Sequence, residues 1–311
     1  MESAVPTTTT FSGVIPPVVT PLTADGELDR ASFERLITSQ LDAGVHGLFV
    51  LGSSGEVAYL DDARRSQVME AAVEITAGRV PVMAGVIDLT TRRVADQVRR
   101  AQDAGVDAVV ATAPLYIRTN DDEIERHFRG VAAASDLPLF AYDVPVCVHS
   151  KLDLGMLVRL GSEGVIAGVK DSSGDDVGFR RLVAANRAAG SPLRLFTGHE
   201  VVVDGMLLLG ADGVVPGLGN VDPAGYVRLW DAAQAGDWAR ARDEQDRLAS
   251  LFEIVFQPRG YSGGASGLGA FKTSLQLLGV IGSNVMTTPA PALEGEVVDQ
   301  IKVILAEAGL L

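Results

Sequence analysis

A glycine followed almost at once by an apolar run recurs along this chain, and it limits the fold more than any other feature. Asp42-Ala43-Gly44-Val45-His46-Gly47-Leu48-Phe49-Val50 resembles Asp103-Ala104-Gly105-Val106-Asp107-Ala108-Val109-Val110-Ala111. Leu209-Gly210-Ala211-Asp212-Gly213-Val214-Val215-Pro216 is a third copy, and residues 161–169 form a looser one. In each, glycine closes an amphipathic stretch as a left-handed cap. The β-branched run that follows has no polar alternation, so it reads as a strand buried on both faces. Such runs lie near 13–19, 45–51, 80–86, 106–112, 137–143, 164–169, 193–197 and 212–216. Amphipathic stretches lie between them at 29–43, 61–77, 90–104, 121–135, 153–160, 174–188, 199–209 and 222–235. Several begin on cap-like residues such as Asp61, Thr90 and Asn120. Eight βα units over residues 11–235 predict an α/β fold of the (β/α)8 TIM-barrel type. A doubly wound sheet is the alternative, but no dinucleotide fingerprint follows the first run.

Past Trp230 the pattern changes. Residues 237–256, 266–280 and 293–308 read as helices, the first two joined by the glycine-rich Pro258-Arg259-Gly260-Tyr261-Ser262-Gly263-Gly264. They predict a C-terminal helical extension over 236–311, packed on the catalytic barrel of 11–235. Met1 to Thr10 has neither a basic start nor an apolar core, and reads as a short disordered leader rather than a signal peptide.

The net charge of −14, with no compensating basic stripe, argues against nucleic acid as a partner. No segment approaches the ~20 uninterrupted apolar residues of a membrane span. The one cysteine, Cys147, excludes an intrachain disulfide and fits a reducing compartment. A cytoplasmic protein is expected.

In barrels, function gathers at the carboxyl ends of the strands. The second run leads into Leu51-Gly52-Ser53-Ser54-Gly55-Glu56, where two glycines admit a ligand to the backbone and two hydroxyls could cradle a carboxylate. An ordinary glycine turn with hydroxyl caps has the same composition. The fourth run leads to Tyr116 and the fifth ends at Tyr142, so two of the five tyrosines are expected to converge on one mouth and relay a proton. Either could instead be a packing residue with its hydroxyl satisfied.

The sixth run ends in Gly168-Val169-Lys170-Asp171-Ser172-Ser173-Gly174, with Lys170 one of only four lysines. A lysine after so apolar a run is not there for solubility. Burial disfavours an ammonium and frees the neutral amine for attack on a carbonyl. The alternative is a lysine that snorkels to a rim carboxylate such as Asp171. The four histidines, His46, His127, His149 and His199, have no metal-ligand spacing with one another or with Cys147, and no metal is expected. His127 is expected on a helix surface; His199 would line the mouth or cap a helix.

Taken in order, these motifs resemble the dihydrodipicolinate synthase / N-acetylneuraminate lyase family of pyruvate-dependent class I aldolases. The resemblance rests on Gly13–Leu22, Gly52–Glu56, Tyr142-Asp143-Val144-Pro145, Gly168–Asp175 and Gly210–Gly213, and so spans nearly the whole chain. It implies that Lys170 is the Schiff-base lysine and Tyr142 the proton-shuttling tyrosine. It implies that Ser53 and Ser54 bind the keto acid's carboxylate, beside Gly52 and Val215. Tyr116 would complete the relay, reaching in many members into a neighbouring subunit's site. It also implies a homotetramer built as a dimer of dimers, and no metal or organic cofactor beyond the covalent imine.

Three positions depart from the pattern. Cys147 stands where dihydrodipicolinate synthases usually carry an arginine for the second substrate's carboxylate. Asp143 replaces a common asparagine, and Leu115 an aromatic. A cysteine cannot imitate a bidentate guanidinium. Arg118 and Arg259 are the other donors such a synthase could call on. The tail Gly263–Lys272 looks closer to sugar-acid aldolases and dehydratases. The expected function is therefore an aldolase or lyase acting on pyruvate or a 2-keto-3-deoxy sugar acid, with an aldehyde as second partner. A 4-hydroxy-tetrahydrodipicolinate synthase, a sugar-acid dehydratase and a non-catalytic keto-acid sensor are the alternatives, in that order.

Overall fold

In the computed structural model, which describes residues 11–311, parallel strands and helices alternate along the chain. The strands are β1 (Gly13–Val14), β2 (Leu48–Val50), β3 (Val82–Gly85), β4 (Ala108–Thr112), β5 (Leu139–Asp143), β6 (Gly168–Asp171), β7 (Arg194–Thr197) and β8 (Gly213–Val214). They form one sheet in the order β1-β8-β7-β6-β5-β4-β3-β2. β1 and β2 stand at opposite ends of that order, yet the Val18 N–H donates to Phe49 O at 2.8 Å and the Phe49 N–H to Pro16 O at 3.0 Å. The sheet therefore curls until the segment after β1 meets β2. The leader expected over residues 1–10 lies outside the described residues.

Helices α1 (Arg30–Asp42), α2 (Asp62–Thr76), α3 (Thr91–Ala104), α4 (Asp121–Ala132), α5 (Pro145–Val148), α6 (Leu154–Ser162), α7 (Asp176–Ala188), α8 (Val203–Leu209) and α9 (Pro223–Gln234) come between the strands and after β8. Three more follow: α10 (Trp238–Phe252), α11 (Gly263–Leu277) and α12 (Glu296–Glu307). Local chemistry sets their starts. Asp61, Thr90 and Asn120 accept from the backbone N–H of Arg64, Arg93 and Glu123, and Glu123 returns the bond to close a capping box. Each such cap stabilises its helix by ~1 kcal/mol.

Several boundaries differ from the sequence expectation. β1 and β8 are shorter, ending at Val14 and Val214, and α8 begins at Val203 rather than 199. Two further shifts have a definite reason in the hydrogen bonds. β6 begins at Gly168 rather than 164, because the N–H groups of Gly164, Val165 and Ile166 turn back to the last carbonyls of α6. The shift carries Lys170 into the ladder instead of leaving it just beyond. α11 begins at Gly263 rather than 266, because the Ser262 side chain accepts from the Ala265 N–H and caps the helix there.

His127 corrects a different kind of expectation. It is only 2% exposed, not on the helix surface. Its Nε2–H donates to the Thr112 carbonyl at 3.1 Å, and its Nδ1 accepts from the Thr91 hydroxyl at 2.9 Å. Both ring nitrogens are thus satisfied in the neutral form, and burial pushes the imidazole pKa down to about 4. In an unfolded chain the same ring titrates near ~6.5. Between those values the unfolded state binds the extra proton, so stability is complete above about pH 6.5 and falls as the pH drops towards 4. The loss approaches roughly 3 kcal/mol. Urea denaturation of wild type and His127→Gln from pH 8 to pH 4 checks this: the variant is expected to be less stable at pH 8 and to show a flatter slope across the window.

The interior is layered by side chains that face inward from neighbouring strands. Phe140 fills the space above Gly168, whose missing Cβ would otherwise sit 2.5 Å from the Phe140 ring. Phe11 and Phe196 pack edge-on to Phe140 at centroid distances of 5.2 and 6.0 Å. Thr112, Tyr142, Lys170 and Phe196 are successive register partners across β4 to β7, and so share one level. Tyr142 and Lys170 thus lie one inward step nearer the strand carboxyl ends than Phe140.

Candidate active site

Lys170 and Tyr142 are direct partners on adjacent strands, and their side chains meet. The Lys170 Nζ lies 3.7 Å from the centroid of the Tyr142 ring and 5.5 Å from that of Phe49. Lys170 is 7% exposed and has no carboxylate partner among the described residues. Asp171, the rim carboxylate it could have snorkelled to, is engaged elsewhere: it pairs with Lys151 at 3.4 Å and accepts from the Ser173 N–H at 2.8 Å. Two aromatic faces therefore hold the amine without locking it in an ion pair.

Burial raises the Tyr142 phenol, but the charge on Lys170 and the neighbouring Ser53 and Ser172 hydroxyls outweigh it and leave the pKa below the usual value. The Tyr142 hydroxyl lies 3.5 Å from the Ser53 Oγ. A phenol that gives up its proton more readily than usual, beside an amine, can move protons during attack on a carbonyl.

The Gly52–Glu56 turn sits across from this pair. Gly55 and Val57 donate back to the Gly52 carbonyl at 3.0 and 3.4 Å, and Glu56 donates to the Ser53 carbonyl at 3.1 Å. The N–H groups of Ser53 and Ser54 have no acceptor among the described residues. Two unengaged N–H donors beside two hydroxyls are suited to an anion. The turn is possible only because Gly85 of β3 lacks a Cβ, which would stand 1.9 Å from the Leu51 carbonyl oxygen.

The ends of β5 and β6 are tied together outside the pair. Asp143 is fully buried and shares the Lys151 ammonium with Asp171. Asp143 also accepts from the Leu152 N–H at 3.2 Å. Burial raises the Asp143 carboxyl, while it lowers the Lys151 ammonium less than the two carboxylates raise it. Since Asp143 follows Tyr142 and Asp171 follows Lys170, this bridge holds the Tyr142 and Lys170 side chains in register.

Glu200 was not singled out from the sequence. It lies three residues past β7, its Oε2 accepting from the Leu218 N–H at 2.6 Å. Burial raises its pKa to about 7, and the Lys170 charge lowers it only in part. Its own carbonyl is fixed by the Tyr226 hydroxyl and the Gln245 amide, each at 3.2 Å. The available signal was an acidic residue directly after the Thr197-Gly198-His199 strand end.

The other sequence candidates fall as follows. Val215 is buried just past β8, its N–H donating to Thr197 O at 2.8 Å. Gly52 is buried against the Phe49 ring. Within a single chain, Tyr116 does not meet Tyr142: it is 93% exposed, with a left-handed φ of 70°. Leu115 beside it packs against the core, while the Tyr116 side chain stands in solvent. Cys147 is exposed on the single turn of α5. Arg118 and Arg259 are exposed on loops. His199 pairs with Asp176 at 3.0 Å, ahead of α8 and outside it. A separate cavity of about 740 Å³ beside the serine turn is lined by Leu60, Arg65, Asp88, Arg93 and Leu115. It excludes Lys170 and Tyr142, and its charges are already paired, Asp88 holding both Arg65 and Arg93.

Reactive side chains at the carboxyl ends of a curled parallel sheet are the plan of an enzyme. The profile of the Dihydrodipicolinate synthetase family matches residues 10–308. A 4-hydroxy-tetrahydrodipicolinate synthase of Phenylobacterium zucineum is 34% identical over 248 residues, 79% of this chain and 82% of that protein. An uncharacterized DapA-like lyase of Halobacterium salinarum is 33% identical over 299 residues, 96% of this chain and 94% of that protein. Among solved structures, YagE, a prophage protein of the dihydrodipicolinic acid synthase family from E. coli K12, in complex with pyruvate, superposes with a TM-score of 0.91. It is 29% identical and covers 97% of this chain and 99% of its own. The chain belongs to the dihydrodipicolinate synthetase family of lyases.

Proposed function

We propose that this chain is a Schiff-base-forming class I aldolase that cleaves a 2-keto-3-deoxy sugar acid to pyruvate and an aldehyde, or runs that reaction in reverse. One observation carries the reading: a buried Lys170 amine with no carboxylate partner among the described residues, 3.7 Å from the centroid of the Tyr142 ring. The pyruvate complex of YagE supports a keto acid as ligand.

The substrate carboxylate rests on the N–H groups and hydroxyls of Ser53 and Ser54, beside Gly52 and Val215. The neutral Lys170 amine adds to C2, forming the C–N bond, and Tyr142 passes a proton from nitrogen to the new alkoxide. A proton from Tyr142 then lets that hydroxyl leave as water, which gives the iminium and a tyrosinate. The tyrosinate takes the proton of the C4 hydroxyl, the C3–C4 bond breaks, and its electrons flow into the iminium as an enamine. The aldehyde departs. Protonation at C3 and hydrolysis release pyruvate. The iminium is itself the electron sink, so the scheme uses no metal or organic cofactor.

Further elements of the reading are a closed (β/α)8 barrel over 11–235, a C-terminal helical extension over 236–311, and a cytoplasmic homotetramer. The exposed Tyr116 would reach the relay of a neighbouring subunit. Glu200, able to donate or accept near neutral pH, would serve a hydroxyl of the sugar acid.

The names of relatives favour a second reading, 4-hydroxy-tetrahydrodipicolinate synthase. Cys147, at the arginine position, counts against it. A coupled assay separates the two. Release of pyruvate from a 2-keto-3-deoxy sugar acid, with little turnover of pyruvate plus aspartate semialdehyde, is expected. Robust turnover of the latter would overturn the preference, and loss of water from the sugar acid without pyruvate release would make the enzyme a dehydratase.

A further inference from the structure

The serine turn is held from a distance. Leu51 and Glu56, at its two ends, both take left-handed backbone, with φ of 55° and 58°. A side chain at such a φ is strained, and the conformation persists only where its surroundings hold it. At the middle of the turn the Thr20 hydroxyl donates to the Gly55 carbonyl at 2.9 Å. At its far end the hold comes from the other end of the sequence. The Glu56 carboxylate and the Lys272 ammonium of α11 are 216 residues apart, hydrogen-bonded to each other, and both side chains are fully buried. Glu56 Oε1 accepts from the Thr287 N–H at 2.8 Å, and Lys272 Nζ donates to the Val285 carbonyl at 2.8 Å. The pair is thus stitched to both α11 and the loop behind it.

A buried ion pair contributes little net stability, because desolvating two charges offsets most of their attraction; a well-packed apolar pair would serve a core as well. What such a pair does supply is direction. Glu56 is two residues from Ser54, and the N–H of Glu56 bonds to the Ser53 carbonyl at 3.1 Å. Any movement of Glu56 therefore redirects the N–H groups and hydroxyls of Ser53 and Ser54, including the Ser53 hydroxyl 3.5 Å from that of Tyr142.

We propose that Glu56 and Lys272 are positioning residues through which the C-terminal helices fix the serine turn in its carboxylate-binding form. This rests on the assignment of that turn to the keto acid's carboxylate. The pair then governs affinity for the carboxylate-bearing ligand, while the chemistry at Lys170 is left intact.

The test is borohydride trapping on the full chain, titrated with pyruvate and, separately, with pyruvamide, which keeps the ketone and lacks the charge. Glu56→Gln/Lys272→Met removes both charges together and strands neither. Its half-saturating pyruvate concentration is expected to rise about 10- to 100-fold, the range that misaligned charge-assisted hydrogen bonds imply. The adduct should still form on Lys170 at saturation, and the pyruvamide curve should not move. Glu56→Asp keeps the pair but shortens it, and should show a smaller rise confined to pyruvate, which keeps the test open if the double variant does not fold. A folded variant whose pyruvate curve stays within about twofold of wild type would overturn the proposal, as would equal shifts for both ligands. Failure of wild type to trap pyruvate at all would instead sink the assignment of the turn, and the proposal with it.

Discussion

Replacing Lys170 with arginine is expected to lower turnover by at least about 10⁴-fold while leaving the far-ultraviolet circular dichroism unchanged. Arginine keeps the charge, the length and contact with the Tyr142 and Phe49 rings, but a guanidinium does not lose its proton and cannot form an imine. The loss would therefore separate nucleophilic chemistry from charge. A lysine that only steered an anion electrostatically, or only packed on two rings, would tolerate the exchange to within about tenfold. The measurement is kcat for pyruvate release, and residual activity above a few per cent of wild type would exclude a covalent role for Lys170.

Tyr142→Phe carries the second large expected effect. The phenyl ring retains its packing and its face towards the Lys170 Nζ, which lies 3.7 Å from the ring centroid, so only the proton carrier is removed. General acid–base groups contribute roughly 10²- to 10⁴-fold, and a fall in kcat of that order is expected with a much smaller change in half-saturation. Single-turnover trapping should show slow but real adduct formation. A fall in kcat below about tenfold would assign the proton transfers to another group, and the half-buried, readily protonated Glu200 would then be the first candidate.

Much of this architecture was legible because its signals are local. A glycine cap and the strand behind it occupy a few consecutive residues, as do the caps at Asp61, Thr90 and Asn120, and each acts within one helical turn. Lys170 stood out because an amine at the end of an apolar run conflicts with its surroundings. Features set by tertiary packing were not legible. His127 looked like a surface residue until Thr91 and Thr112 supplied partners for both ring nitrogens. Glu200 showed in sequence only as an acidic residue after a strand end, since its raised pKa comes from burial against the turn after β8. The partnership of Glu56 and Lys272 spans 216 residues and leaves no periodic trace. Tyr116 stands in solvent on a left-handed backbone, a conformation that no spacing rule anticipates.

The most direct test of the central claim is incubation of the wild-type protein with pyruvate and sodium borohydride, followed by peptide mass spectrometry. With only four lysines in the chain, the modified position can be assigned without ambiguity. The expected result is one reduced adduct, on Lys170, absent from Lys170→Arg. No adduct on folded protein with pyruvate in excess, or an adduct on Lys151, Lys272 or Lys302 instead, would contradict a Schiff-base mechanism at Lys170.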